Sequence, residues 1–191
     1  MNDQVFLTFG NWLAEAEASE PNDPNAMTLA TLSGHRPAAR IVLLKAWDER
    51  GFVFYTNLDS RKSTEIKANP HAALLFHWKS LRRQIRIEGA LALVPDDEAD
   101  AYYATRPRGS RLGAWASAQS RPLESRAVFE ARLAAVAVAY PGADIPRPPF
   151  WSGWRLTPDY FEFWQDKEYR LHDRQVFTRT ASGWDHMILF P

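Results

Sequence analysis

Met27-Thr28-Leu29-Ala30-Thr31-Leu32, then Ala38-Ala39-Arg40-Ile41-Val42-Leu43-Leu44-Lys45-Ala46-Trp47, then Gly51-Phe52-Val53-Phe54-Tyr55: this stretch decides the fold. Its three runs have strand character. They are separated only by Ser33-Gly34-His35-Arg36-Pro37 and Asp48-Glu49-Arg50-Gly51. A parallel crossover needs roughly a dozen residues or more, so both connections predict antiparallel hairpins.

Upstream, residues 4–19 read as a helix with Phe6, Phe9, Trp12, Leu13 and Ala16 near one face. Prolines and asparagines mark 19–25 as a loop. Downstream, Ser60–Asn69 reads as a short helix with Ser60 as N-cap and Pro70 as its stop. Strands are expected at 72–78 and 84–94, with a tight turn at 80–82. A helix at 96–105 opens on three acidic residues, and an Ala-rich helix covers 125–140. Residues 140–149 carry four prolines and are irregular. Strands return at 154–156, 160–165, 176–179 and 184–190. The expected class is mainly β with helices (α+β), a closed antiparallel sheet forming a small β-barrel flanked by helices. One domain spans 1–191, with 1–25 as its N-terminal helix and loop. The segment 141–149 is a crossing loop, because the roughly forty residues after it are too few for a core of their own.

Composition narrows the chemistry. The 191 residues are 46% hydrophobic and 24% charged, with 23 Lys and Arg against 23 Asp and Glu. No cationic excess points to nucleic acid or an anionic membrane. The absence of cysteine excludes disulfides, thiolate metal sites and cysteine nucleophiles. Redox chemistry must therefore come from a borrowed cofactor. No apolar run approaches the roughly 18 residues of a membrane helix, and Met1-Asn2-Asp3-Gln4 lacks a basic leader, so the cytoplasm is expected. Histidines 71, 77 and 172 have no metal-ligand spacing, and no metal is expected.

Several places concentrate anion-binding side chains. Ser60-Arg61-Lys62 puts two cations at a helix N-terminus, where the dipole disfavours them. A bound phosphate explains that, as do two solvated surface charges. In Arg40–Lys45, two cations bracket four aliphatic residues of what reads as a core strand. Alternation puts them on opposite faces, so either a bulge intervenes or each serves a different part of a ligand. Gln84, Arg86 and Glu88 share one strand face. Tyr102, Arg106 and Ser110, at intervals of four, offer hydroxyl and guanidinium donors. Arg170, His172 and Arg174 alternate onto one face of an extended segment and call for an anion or a salt-bridge network opposite. Together they favour an acidic small molecule with more than one phosphate and a flat ring.

At these same residues the sequence closely resembles the pyridoxine/pyridoxamine 5′-phosphate oxidase family. The matching blocks are Arg40 to Lys45, Phe54 to Lys62, Leu74 to Trp78, Arg83-Gln84 to Glu88-Gly89, Ser110 to Ser120, and Glu162 to Gln165 through Arg170 to Arg174. They run in order from about residue 26 to 180. The resemblance implies a split β-barrel homodimer with flavin mononucleotide (FMN) at the subunit interface. By motif, Arg40, Lys45, Tyr55, Thr56, Arg61, Lys62, Gln84, Gln119, Ser120, Trp164 and Arg174 would hold the flavin, with Arg61 and Lys62 on its phosphate. Lys45, Tyr102, Arg106 and Ser110 would hold the substrate phosphate. Arg170 and His172 would lie over the pyridine ring as catalytic residues, Arg170 steadying developing charge. The implied reaction converts pyridoxamine or pyridoxine 5′-phosphate to pyridoxal 5′-phosphate, with hydride passing to the flavin and oxygen reduced to hydrogen peroxide. Three departures stand out. Asp166-Lys167 occupies a place where glycines are common, the chain ends Ile188-Leu189-Phe190-Pro191 rather than Arg-Leu-x-Pro, and no N-terminal Arg and Tyr cover is evident. The competing readings are a related flavin oxidase on another flat acidic substrate, such as a phenazine precursor, and a flavin- or pyridoxal-phosphate-binding protein without turnover.

Overall fold

The computed structural model describes residues 4–191; Met1 to Asp3, read above for a leader, lie outside them. Helix α1 (Gln4–Ser19) leads into β1 (Ala26–Ser33), β2 (Arg36–Leu43), β3 (Ala46–Asp48) and β4 (Gly51–Asn57). Then come α2 (Arg61–Ala68), β5 (His71–Trp78), β6 (Arg83–Leu93), α3 (Asp96–Thr105), α4 (Arg108–Ala116) and α5 (Arg126–Ala139). The chain finishes with β7 (Trp151–Gln165), a 3₁₀ turn at Glu168–Arg170, β8 (Asp173–Thr180) and β9 (Gly183–Ile188).

All pairings are antiparallel, in the order β2-β1-β5-β6-β7-β4-β3, with β8 on β7 and β9 on β8. The expected closure of the sheet is corrected here. Its two end strands, β2 and β3, are not hydrogen-bonded to each other. They are one run of chain broken at Leu44-Lys45, whose N–H groups turn to the carbonyls of Asn25 and Val53, both at 2.9 Å. The ring is thus completed by covalent chain rather than by a ladder.

Strand β7 is what splits the barrel. Its residues 151–156 pair with β4, and its residues 160–165 pair with β8. The sequence reading placed two strands here, at 154–156 and 160–165; Pro158 between them lacks the N–H a ladder needs. The structure runs one strand through, placing Pro158 opposite Gly89, where the β6 register shifts. A Cβ on Gly89 would lie 2.0 Å from the Thr157 carbonyl oxygen, so only glycine permits this approach.

The core is aromatic. Phe9 of α1 lies edge-on to Trp47, Phe52 and Phe76, with centroids 5.0, 4.8 and 5.5 Å away. Phe6 meets Phe161 at 5.6 Å. Burying each such ring contributes about 1.5–3 kcal/mol, which holds α1 on the sheet whatever its helix propensity. The acidic first turn of α3 has a tertiary task as well. Asp96 and Asp100 grip Arg147 of the proline-rich loop, and Glu98 grips Arg155 of β7. Strand β2 departs from the expected core strand, with Ile41 63% exposed. Among the described residues no helix is long and apolar enough to cross a membrane.

Candidate active site

A cavity of about 460 Å³ opens between β2, β4, α2 and the α3–α4 corner. Lys45, Tyr55, Thr56, Lys62, Tyr102, Arg106, Ser110 and Gln119 all line it, as does Trp151. The break after Leu43 is what brings Lys45 here, resolving the problem of opposite faces. Tyr102, Arg106 and Ser110, expected as donors at intervals of four, come from two helices and the corner between them. Tyr102 lies in the last turn of α3, Arg106 caps it, and Ser110 lies in the first turn of α4, a helix the sequence reading left out and whose two glycines are poor helix formers.

One wall is a stack of rings. Tyr55 lies 3.9 Å from Tyr102 and 5.4 Å from Trp151, nearly parallel to both. Burial, with Glu98 and Tyr102 adding to it, pushes the Tyr55 hydroxyl up to about 12. The Arg106 guanidinium lies 4.7 Å above the Trp151 ring. Burial pulls its pKa down, with Tyr102 and Tyr103 opposing. Its Nη1 is enclosed and has no hydrogen-bond partner among the described residues. A buried cationic donor left open is a demand for an anion.

A second cavity of about 490 Å³ adjoins the first, sharing Ile41, Lys62 and Gln119 and adding Arg40, Arg61 and Ser120. Ser60 stands at the α2 N-cap position, yet its hydroxyl donates to the Asn57 carbonyl at 2.7 Å instead of capping. Lys62 Nζ donates to Thr56 Oγ1 at 3.0 Å, and burial, then neighbouring Arg40, lowers its pKa against Glu65. Ser120 holds φ +69°, a left-handed conformation that costs a non-glycine residue about 1 kcal/mol.

Glu65 organises this end and was not anticipated. Its buried carboxylate takes Arg40 Nη2 at 2.5 Å, Arg61 Nε at 2.8 Å and Thr31 Oγ1 at 2.6 Å. Burial pushes its pKa up, but hydrogen bonds from Thr31, Arg61 and Arg40 outweigh this and hold it below the ordinary value. So Arg61 has a protein partner as well as a place for an anion. The sequence signal was the spacing of four between Arg61 and Glu65.

The other expected residues gather elsewhere. Gln84, Trp164 and Arg174 form a cross-strand row on β6, β7 and β8. Arg174 Nε donates to buried Glu162 at 2.7 Å. Burial raises the Glu162 pKa, and Arg174 and Arg86 more than reverse it. The expected alternation of Arg170, His172 and Arg174 fails. Tyr169 and Arg170 adopt φ +55° and +66° in a turn, leaving Arg170 exposed while His172 is buried with its ring 4.6 Å from Trp164. These five residues line neither cavity.

The cavities suit FMN: three cations at one end for its phosphate, hydroxyl and amide donors between, and the open Arg106 donor beyond for a second anion. Comparison with known proteins agrees. The family profile described as pyridoxamine 5′-phosphate oxidase matches residues 13–140, and the pyridoxine 5′-phosphate oxidase C-terminal dimerisation region matches 151–191. Pyridoxine/pyridoxamine 5′-phosphate oxidase of Sphingopyxis alaskensis is 62% identical, covering 100% of this chain and 89% of that one. That of Gluconobacter oxydans is 61% identical over 97% and 94%. Among solved structures, PhzG from Burkholderia lata, in complex with tetrahydrophenazine-1-carboxylic acid, superposes with TM-score 0.91 at 31% identity, covering 100% of this chain and 94% of that one. With two profiles in chain order and full-length relatives at this identity, the chain belongs to the pyridoxamine 5′-phosphate oxidase family.

Proposed function

We propose that the protein is an FMN-dependent oxidase of pyridoxamine and pyridoxine 5′-phosphates, producing pyridoxal 5′-phosphate. The amine route consumes one O₂ and one water and releases ammonia and hydrogen peroxide. The alcohol route consumes one O₂ and releases hydrogen peroxide alone. The observation that carries this reading is the pair of adjoining cavities with a cationic group at each end, matched to two phosphates on either side of reacting rings. When bound, FMN accepts a hydride equivalent from the substrate and hands the electrons to oxygen.

The chain's own residues supply grip and orientation. Arg61 and Lys62, beside the α2 N-terminus, hold the flavin phosphate, while Glu65 fixes the Arg40 and Arg61 side chains in place. Thr56, Gln119 and Ser120 give neutral hydrogen bonds along the flavin. Arg106, Tyr102, Ser110 and Lys45 hold the substrate phosphate, Arg106 through its open Nη1. Anchoring the phosphate at a distance from the reacting carbon orients the ring, an effect general to bound reactants and worth several kcal/mol.

The working unit is a homodimer with FMN between subunits. Gln84, Trp164, Arg170, His172 and Arg174 lie apart from the cavities of their own chain, so they complete the cavities of the partner. The dimerisation-region match over 151–191 and the exposed Ile41, Ile188 and Phe190 support this arrangement. Sedimentation of a flavin-loaded monomer would sink it.

The phenazine alternative rests on the Burkholderia lata structure, at half the identity of the vitamin B6 oxidases. One anaerobic experiment decides. Protein loaded with FMN receives pyridoxine 5′-phosphate while the flavin's visible absorption is followed. Bleaching, with recovery in air and pyridoxal 5′-phosphate as product, is expected; an unchanged spectrum with flavin bound defeats the proposal.

A further inference from the structure

Helix α3 carries Tyr102 and is capped by Arg106, yet it has little of its own to hold it in place. Only its Ala99 and Tyr103 are buried, and no side chain caps its first turn. Ala99 packs with Val53, Val94 and Tyr55 in a small cluster apart from the main core. Val94, just before the helix, is pinned by its N–H to the Gly153 carbonyl at 3.0 Å. Glycine is required at 153 for this packing: a Cβ there would lie 2.8 Å from Tyr55 Cε1 and 2.9 Å from Val94 Cγ2.

Two residues along β7, on the same face as Gly153 by alternation, stands Arg155. Its guanidinium joins three elements. Nη1 donates to Asp48 Oδ1 of β3 at 3.1 Å, and Nη2 donates to both carboxylate oxygens of Glu98 in α3, at 2.7 and 2.9 Å. The Arg155 and Glu98 side chains are 12% and 26% exposed, so water screens this pair less than an open surface pair. Glu98 precedes Tyr102 by four residues, which puts the two on one side of α3. Arg155 itself lines neither cavity. We infer that Arg155 is a positioning residue for the substrate-phosphate grip: its fork ties α3 to β3 and β7 and so fixes where Tyr102 and Arg106 stand. This rests on the placement of the substrate phosphate proposed above. Lysine is no substitute, because an ammonium is a point charge without the fork that reaches both carboxylates at once.

Initial rates of the FMN-loaded protein over a range of pyridoxine 5′-phosphate concentrations separate KM from kcat. In Arg155→Met, KM rises about tenfold while kcat and FMN affinity stay within about twofold of wild type. Arg155→Lys restores little of the loss. Glu98→Gln, which leaves Arg155 on Asp48, raises KM in the same direction and carries the same test should Arg155→Met not fold. The double variant is no worse than Arg155→Met alone, as for residues that act as one unit. Arg50→Gln, which removes the exposed partner of Asp48, keeps the wild-type KM. Amide hydrogen exchange over 96–106, faster in Arg155→Met, reads the loosened helix without turnover. Unchanged KM in Arg155→Met, a fall in kcat with KM kept, additive effects of the two substitutions, an equal rise in Arg50→Gln, or unchanged exchange over 96–106 each overturns the assignment. Failure of the oxidase reading shows differently, as wild-type protein whose flavin never bleaches with pyridoxine 5′-phosphate.

Discussion

The two ends of the barrel carry site residues in opposite states of readiness. At the α2 end, Arg40, Arg61 and Lys62 are already held, by a buried glutamate and by Thr56, before any ligand arrives. At the β7–β8 end, Arg170 stands exposed as the second of two successive left-handed residues, and His172 Nε2 has no hydrogen-bond partner among the described residues. The first region is a finished anion grip built by one chain. The second pairs an exposed Arg170 on strained backbone with a buried His172, which the function proposed above makes half of a site shared with another subunit. In the function proposed above, one end retains the cofactor and the other acts on the substrate.

Breaking the open end has the largest expected effect on activity. Arg170→Ala lowers kcat by about 10²–10³, the loss typical of one charge-stabilising donor, while flavin stays bound in its usual amount. Stopped-flow reduction alongside the bound-flavin spectrum measures both. Loss of flavin in that variant would erase the contrast between the ends.

Breaking the finished end costs stability. Glu65→Gln leaves Arg40 without its buried carboxylate and lowers unfolding free energy by about 3 kcal/mol in urea titration, with weaker FMN retention. The pH dependence sharpens this. Glu65 and Glu162 have folded pKa values below the ordinary 4.5, so the unfolded chain binds more protons as acid is added. Their contribution is complete above about that pH and disappears as pH falls through the lower folded values. Wild type should lose stability on acidification over this window, and Glu65→Gln should show a shallower slope.

Smaller effects come from the cavity between. Arg106→Lys removes the fork that meets a phosphate and raises KM about tenfold with kcat nearly kept. Tyr55→Phe should change stability and kcat/KM by less than about 1 kcal/mol, since the hydroxyl has no hydrogen bond to lose among the described residues and the ring stack remains. Because the Tyr55 hydroxyl titrates near 12, phenolate absorbance from it should be absent below pH 10.

The amino-acid sequence by itself determined the short antiparallel connections, the aromatic face of α1, the helix that opens on Arg61 and Lys62, and the ordered blocks that identify the family. Each is local: turn length, residue periodicity and residue chemistry settle them within a few positions. Where helix and strand preferences met long-range contacts, sequence reasoning failed. The strands read at 154–156 and 160–165 are one strand, in which the bulge at Gly89 accommodates Pro158, and α4, which contains Gly109 and Gly113, was not anticipated. The even spacing of Arg170, His172 and Arg174 described a strand that the turn at Tyr169 breaks. Only the tertiary structure decided that Glu65 sits between Arg40 and Arg61, that Arg155 joins Asp48 to Glu98, and that Lys45 turns into the cavity. Those pairings join residues far apart in the chain or around an irregular turn, and burial makes an unpaired charge too costly to leave alone.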